Sequence, residues 1–351
     1  MIKKTTNFPK PATSAFSLYY LIFSLGIVFL LIAPVASGAD ETALNYNMGP
    51  ALLEVSSLAP GQSFRYSPIP CVHEAIVPGQ VHIRLGSSWA NIFTEGKAYD
   101  LDYEVLHARF SVSYGVNERL QMTAAFEQRN FFGGGMDGLI IEFHDLFGIE
   151  QGGRTNVPRN VSHYLFRDAQ GNMLADSDDI NTFDNNNIQA EISYILSPGT
   201  RILPAVHLKG VVCRNLDSPL IGRGNSLDYS MGVGFSKRWS KKWLSYHNAM
   251  YSWFGRNESP YFTLSDNSVS IVNALVWQYR PRFSYLLQFI YADGMFENIP
   301  GLSEATHEAH LGFKWKMKSG GILEFAIIEN VISYNNSPDF GIHLAYTYTP
   351  E

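Results

Sequence analysis

The chain has 351 residues, 46% apolar and 17% charged, the balance of a folded chain rather than a disordered one. Its formal net charge is -6 and its mean hydropathy -0.07, so no basic stripe is present to attract nucleic acid, and that class of partner is excluded. Beyond Ala33 no apolar run approaches the roughly 18 residues a membrane helix needs, which excludes a helical membrane bundle.

The first residues carry Lys3, Lys4 and Lys10, then an apolar run over 15–33, then Ala36, Ser37, Gly38 and Ala39. This order is that of a secretory signal over residues 1–39, cleaved after Gly38 or Ala39, with an uncleaved anchor as the alternative. No cysteine lies at the cleavage site, so a lipoprotein is not expected. Loss of the three lysines takes the net charge from -6 to about -9. Cys71 and Cys213 are too few for a disulfide scaffold and stand either as one bridge or as two free thiols. Residues 40–78 contain Pro50, Pro60, Pro68, Pro70 and Pro78 and show no period. They are expected to form a periplasmic N-terminal segment, which either trails or plugs a lumen.

From residue 79 to 351 the dominant period is two, in segments of about ten residues. In the segment around 118–130, Leu120, Met122, Ala124 and Phe126 alternate with Arg119, Gln121, Thr123, Glu127 and Arg129. The last segment sets Phe340, Ile342, Leu344, Tyr346 and Tyr348 against Gly341, His343, Ala345 and Thr347. Strands are expected near 80–90, 100–114, 119–130, 187–196, 201–212, 227–238, 243–254, 268–279, 283–292, 305–317, 322–331 and 339–348, an even number as bacterial barrels require. Three of them read poorly. The second changes parity near Val105, and the seventh and eighth put Asn248 or Asn273 on the apolar face, which a bulge or a wrong register would explain.

The connections alternate. Short ones such as Gly115-Val116-Asn117, Ser197-Pro198-Gly199 and Arg280-Pro281-Arg282 separate longer polar loops at 94–99, 131–186, 213–226, 255–267, 293–304 and 332–338. Short periplasmic turns and long outer loops are what a membrane barrel shows. Tyr114, Tyr194, Trp239, Trp243, Trp277, Tyr279, Phe283, Tyr285, Trp315, Tyr346 and Tyr348 lie beside the short turns, where they would form an interfacial girdle. The expected fold is therefore all-β, a closed antiparallel transmembrane up-and-down barrel of about 12 strands, with one long loop carrying a short helix, the barrel proper covering 79–351.

The long loop contains Gly133-Gly134-Gly135-Met136-Asp137-Gly138-Leu139-Ile140-Ile141-Glu142-Phe143-His144-Asp145-Leu146-Phe147-Gly148 and then Gly152-Gly153-Arg154. With Gly222-Arg223-Gly224 before a strand and Pro338-Asp339 at the entry to the last one, this pattern resembles a family of predicted Gram-negative outer-membrane β-barrel proteins catalogued as a domain of unknown function. The resemblance runs from about Pro50 to Tyr348. It implies a barrel and an address rather than an activity.

Within that loop Leu139, Ile140, Phe143, Leu146 and Phe147 recur at helical spacing, with Asp137 near the helix start, where a carboxylate suits the dipole. A small hairpin is expected at 162–166 and 172–175. The sharper expectation is that the helix folds into the mouth as a constriction or binding element using Asp137, Glu142, His144 and Arg154; the plainer one is a lid packed on its neighbours. Facing the lumen the pattern places His82, Arg84, Asp102, Glu104, Arg109, Arg119, Glu127, Arg129, Glu191, His207, Lys209, Asp228, Glu308, His310, Lys314 and Glu324. Mixed signs line an aqueous channel or pair internally to fill it.

Catalytic constellations are thin. Ser245 and His247 share a face, with Asn248 pointing away, and His307 and His310 face oppositely, so no simple metal site or triad emerges. Asp176-Ser177-Asp178-Asp179 with Asp184 reads as a solvated loop or a calcium cluster. No cofactor is expected. The reading is an exported Gram-negative outer-membrane barrel, most simply a passive channel for small solutes, with a non-conducting surface barrel and a lipid hydrolase as alternatives. Its expected partners are outer-membrane lipids and lipopolysaccharide, small solutes, and the barrel assembly machinery through Asp339 to Tyr348, a segment like the C-terminal signal that machinery reads.

Overall fold

A computed structural model describes residues 52–70, 77–148, 154–179, 182–200, 202–219, 226–257, 259–330 and 336–350. The expected leader at 1–39, Cys71, Gly152-Gly153 and Gly222-Arg223-Gly224 lie outside these residues. Twelve antiparallel strands close on themselves: β1 (Val81–Glu95), β2 (Tyr99–Gly115), β3 (Leu120–Phe132), β6 (Asn185–Ser197), β7 (Ala205–Asp217), β8 (Leu227–Arg238), β9 (Trp243–Trp253), β10 (Asn267–Arg280), β11 (Phe283–Ala292), β12 (Thr306–Lys316), β13 (Ile322–Glu329) and β14 (Phe340–Tyr348). Each pairs with its neighbour in sequence, and β1 pairs β14 from Ile83↔Tyr348 to Asn91↔Phe340, which removes both sheet edges.

Two further strands, β4 (His163–Arg167) and β5 (Met173–Asp176), form a hairpin that extends β2 beyond the barrel wall, pairing Tyr99 with Phe166. Helix α1 (Pro60–Ser63) lies before the barrel and α2 (Asp137–Phe147) in the loop after β3. Helix α2 ends where Gly148 takes the left-handed conformation at φ 68° and donates its amide to the His144 carbonyl. Among the described residues no helix is long and apolar enough to cross a membrane.

The alternating pattern decides the two faces. Leu85, Phe110, Met122, Phe126, Ile192, Leu311 and Leu344 are exposed on the outer wall, while Arg84, Arg109, Glu127, Glu191 and Lys314 between them are buried inside. At the short-turn end the outer aromatics stack in register: Trp243 on Trp277 at 5.9 Å, Trp277 on Tyr285 at 5.7 Å and Phe283 on Phe313 at 5.3 Å.

The parity change in β2 is not a bulge. Its register with β1 runs unbroken from Val81↔Tyr114 to Glu95↔Asp100. What inverts is the environment: past the long-loop rim Leu101, Tyr103 and Val105 point inward onto an apolar cluster, while Asp102 and Glu104 point outward, Glu104 beneath the loop that follows β3. The asparagine puzzle resolves similarly. Asn248 faces the lumen, whereas His247 and Asn273 both face outward and are joined by a 2.8 Å hydrogen bond.

Candidate functional site: a plugged lumen

The central feature is the segment 52–70, which lies inside the barrel rather than beyond its end. All of it is buried except Glu54, which is half-buried. Of the two expectations for residues 40–78, plugging the lumen is the one that the segment 52–70 follows. Proline spacing and lack of period mark it as irregular, and an irregular backbone survives burial only where its polar groups find partners.

The wall supplies those partners. Near the short-turn end, Lys314 on β12 donates to the Leu52 carbonyl at 2.7 Å. One strand away Gln288 accepts the Leu53 amide at 3.0 Å and donates to its carbonyl at 3.3 Å, imitating a strand pairing with a side chain. Higher up, the Glu308 carboxylate receives the amides of Leu58 and Ala59 at 3.0 and 3.1 Å and the Ser57 hydroxyl. Arg129 donates to Ser56 at 3.1 Å. Helix α1 makes the bend, where Gln62 donates to the Asp293 carbonyl and Asn185 to that of Ser63. Arg65 then donates to the carbonyls of Arg256 and Ser265 while lying 3.6 Å over the Phe254 ring. The descending limb meets Lys209, which donates to the Ile69 carbonyl at 3.3 Å.

The lumen has two walls. One is ionic: Arg109 bridges Glu127 at 2.7 Å and Glu191 at 2.5 Å, Lys209 holds the other Glu191 oxygen at 2.9 Å, and Arg84 and Lys314 share Glu324 at 3.1 and 3.2 Å. His310 lies 3.2 Å from Glu308, and Asp228 accepts from Asn215. The other is apolar: Leu244, Tyr246, Val272, Ala274, Val276 and Leu286 of β9 to β11 face inward and pack with Leu52, Leu53 and Val55 of the segment. The plug is thus amphipathic across its own cross-section, although nothing periodic in its sequence says so.

Toward the long loops an aromatic cap completes the closure. Phe64 stacks on Phe183 with centroids 4.1 Å apart and reaches Phe131 at 5.5 Å, while Phe166, Phe262 and Phe296 interlock around it. Such rings bury 150–250 Å² each by the usual estimate, roughly the largest apolar contribution a side chain makes.

Of the thirteen lumen residues sought in sequence outside β2's upper end and Glu324, His207 joins the buried inner set, His82 is half-buried near the short turns, and Arg119 is exposed in the turn before β3, outside the wall. Gln288, Ser56 and Asn185 were missed because amides and hydroxyls in strands and loops carry no charge signal. Asp102 and Glu104 were assigned to the lumen and lie outside it, for the reason given above.

Helix α2 does not enter the mouth. Its buried side, Met136, Ile140 and Phe143, packs on outward-facing Trp89, Ile327, Phe340 and Ile342, so it clasps the outer wall across β1, β13 and β14. The constriction reading of Asp137, Glu142, His144 and Arg154 is corrected accordingly. Arg154 is buried and donates to Asp137 at 2.5 Å, Asn91 at 2.6 Å and Asp339 at 2.7 Å, tying the loop to β1 and the entry of β14. His144 is buried on the same side, whereas Glu142 is exposed. Leu139 and Leu146 were expected on the packed face and are exposed.

The alternative chemistries find no geometry. Ser245 and His247 share the outer face, as their spacing implies, but Ser245 accepts from Trp239 at 2.9 Å and His247 is joined to Asn273 at 2.8 Å, with no acidic group between them among the described residues. Asp176 caps its own turn through the amides of Asp178 and Asp179, and Asp184 serves Asn130 and Phe131. Among the described residues no group of three or more His, Cys, Asp or Glu is placed to hold a metal.

The chain belongs to the family described as "Protein of unknown function (DUF3187)", which matches residues 27–349. Among solved structures it is similar to the COG4313 outer membrane channel from Pseudomonas putida F1, at 12% identity and TM-score 0.51, covering 81% of this chain and 100% of that one. It also matches the toluene transporters TbuX of Ralstonia pickettii (9% identity, TM-score 0.40, 90% and 99% covered) and TodX of Pseudomonas putida (10%, 0.39, 90% and 99%). No curated protein sequence matches the chain. At these identities the first likeness speaks to the barrel fold alone.

Proposed function

We propose that the protein is an outer-membrane channel of a Gram-negative bacterium for small solutes, held closed in this conformation by residues 52–70. The observation that carries this reading is the bonding of the plug: it is fastened by wall side chains to its backbone rather than by strand pairing, so it can leave without breaking the barrel. Behind it stands a wall of paired charges that water can solvate. The exposed apolar band and the aromatic girdle support membrane insertion, with the short turns in the periplasm and the long loops outside. Export by a cleaved leader, and assembly through Asp339 to Tyr348, belong to the same reading.

The filled lumen favours one second reading, a barrel that never conducts and serves the cell surface through its loops. Swelling of proteoliposomes in small sugars separates the two. The chain lacking 52–70 should admit sugars that the full chain excludes; a folded, truncated barrel that admits none would support the non-conducting reading instead.

A further inference from the structure

Far from the plug, the outer wall carries a groove of about 480 Å³ across β2, β3, β6 and β7. That size lies within the roughly 300–1,000 Å³ of small-ligand sites. Register explains its shape. Val112, Ala124, Ala190 and Val212 stand side by side on four strands, a row of short side chains, and the next row toward the long loops is Phe110, Phe126, Ile188 and Arg214. On the other side come Tyr114, Met122 and Ile192. A shallow trough therefore runs between two bulky rows, and its lining is apolar except at Gln189 and at Arg214, which is exposed. One row higher, exposed Gln128 and half-buried Asn186 sit opposite each other on the same face.

We propose that this trough seats an acyl chain of an anionic outer-leaflet lipid whose headgroup phosphate is held by Arg214, with the amides of Gln128 and Asn186 as further donors. The proposal rests on the membrane reading above. Charge complementarity selects the occupant: a planar guanidinium fits phosphate oxygens bidentately, and here it ends an apolar trough one row below Gln128 and Asn186. A protein partner would need a broader face, since stable protein interfaces bury roughly 800 Å² per side.

The intact protein in detergent, titrated with dioleoyl phosphatidylglycerol or dioleoyl phosphatidylcholine and read by native mass spectrometry, tests it. The wild type should retain the anionic lipid in preference to the zwitterionic one. Ala190→Phe, which fills the trough, should abolish retention of both, and Arg214→Gln, with folding checked by heat-modifiable mobility, should weaken phosphatidylglycerol retention roughly tenfold and erase the preference. A folded Ala190→Phe protein that keeps the lipid, or an Arg214→Gln protein with the preference intact, would overturn the site. Heat-modifiable electrophoretic mobility and insertion into vesicles report the membrane reading separately, so its failure would be visible without any lipid count.

Discussion

The carboxylate of Glu308 on β12 accepts the backbone amides of Leu58 and Ala59, at 3.0 and 3.1 Å, across about 250 residues of chain. Side chain meets main chain here inside a closed wall, and the plug depends on such contacts. A hydrogen bond to a charged group contributes about 1.5–3 kcal/mol net. Glu308→Ala should therefore loosen the plug by about 3 kcal/mol or more and expose residues 52–70 to protease. Glu308→Gln keeps an acceptor oxygen and should lose less. Limited proteolysis, with barrel integrity followed by heat-modifiable mobility, reads both.

Phe64 is the keystone of the aromatic cap, in contact with rings of Tyr103, Phe131, Phe166, Phe183 and Phe296. Truncation to alanine in such a site costs about 3–5 kcal/mol. Phe64→Ala should leave the barrel intact and raise hydrogen exchange in 163–176 and 182–185 together, since the hairpin shares the cluster.

Arg154 anchors the long loop through two carboxylates and Asn91 while buried. Arg154→Ala leaves Asp137 buried without its cation, a loss of about 3–5 kcal/mol for pairs of this kind. The loop should become sensitive to protease between 136 and 160. Because α2 lies on the outer wall, conductance should not change.

The six tryptophans divide by environment. Trp243, Trp253 and Trp315 are exposed on the outer wall, whereas Trp89 is partly covered by the residues around α2 and donates to Glu104 at 2.5 Å. In vesicles of brominated lipid, Trp243→Phe should remove strongly quenched emission and Trp89→Phe weakly quenched emission. Equal quenching of the two would place α2 wrongly.

The barrel was legible because a closed wall with an apolar outer face and a polar inner one forces period two, and because turns and loops of unequal length alternate. The loop hairpin and α2 were legible from local chemistry alone. The side of the wall that α2 covers was not, since helical spacing gives faces without saying which packs: Ile140 and Phe143 were chosen, Leu139 and Leu146 left exposed. In β2 the pattern misled because burial reverses above the rim, so Tyr103 turns into core and Glu104 out of it. The plug could be read only as an alternative to a trailing segment, for a different reason. Enclosed on every side and bonded by Gln288, Glu308 and Lys314, it has no exposed face to print a period.

The measurement that bears most directly on the central claim is single-channel conductance in planar bilayers, comparing the full mature chain with one lacking residues 52–70. A closed channel predicts rare or no openings for the first and stable discrete steps for the second. Two silent proteins, both folded and inserted, would contradict the channel and leave a filled barrel. Equal steps from both would contradict the plug.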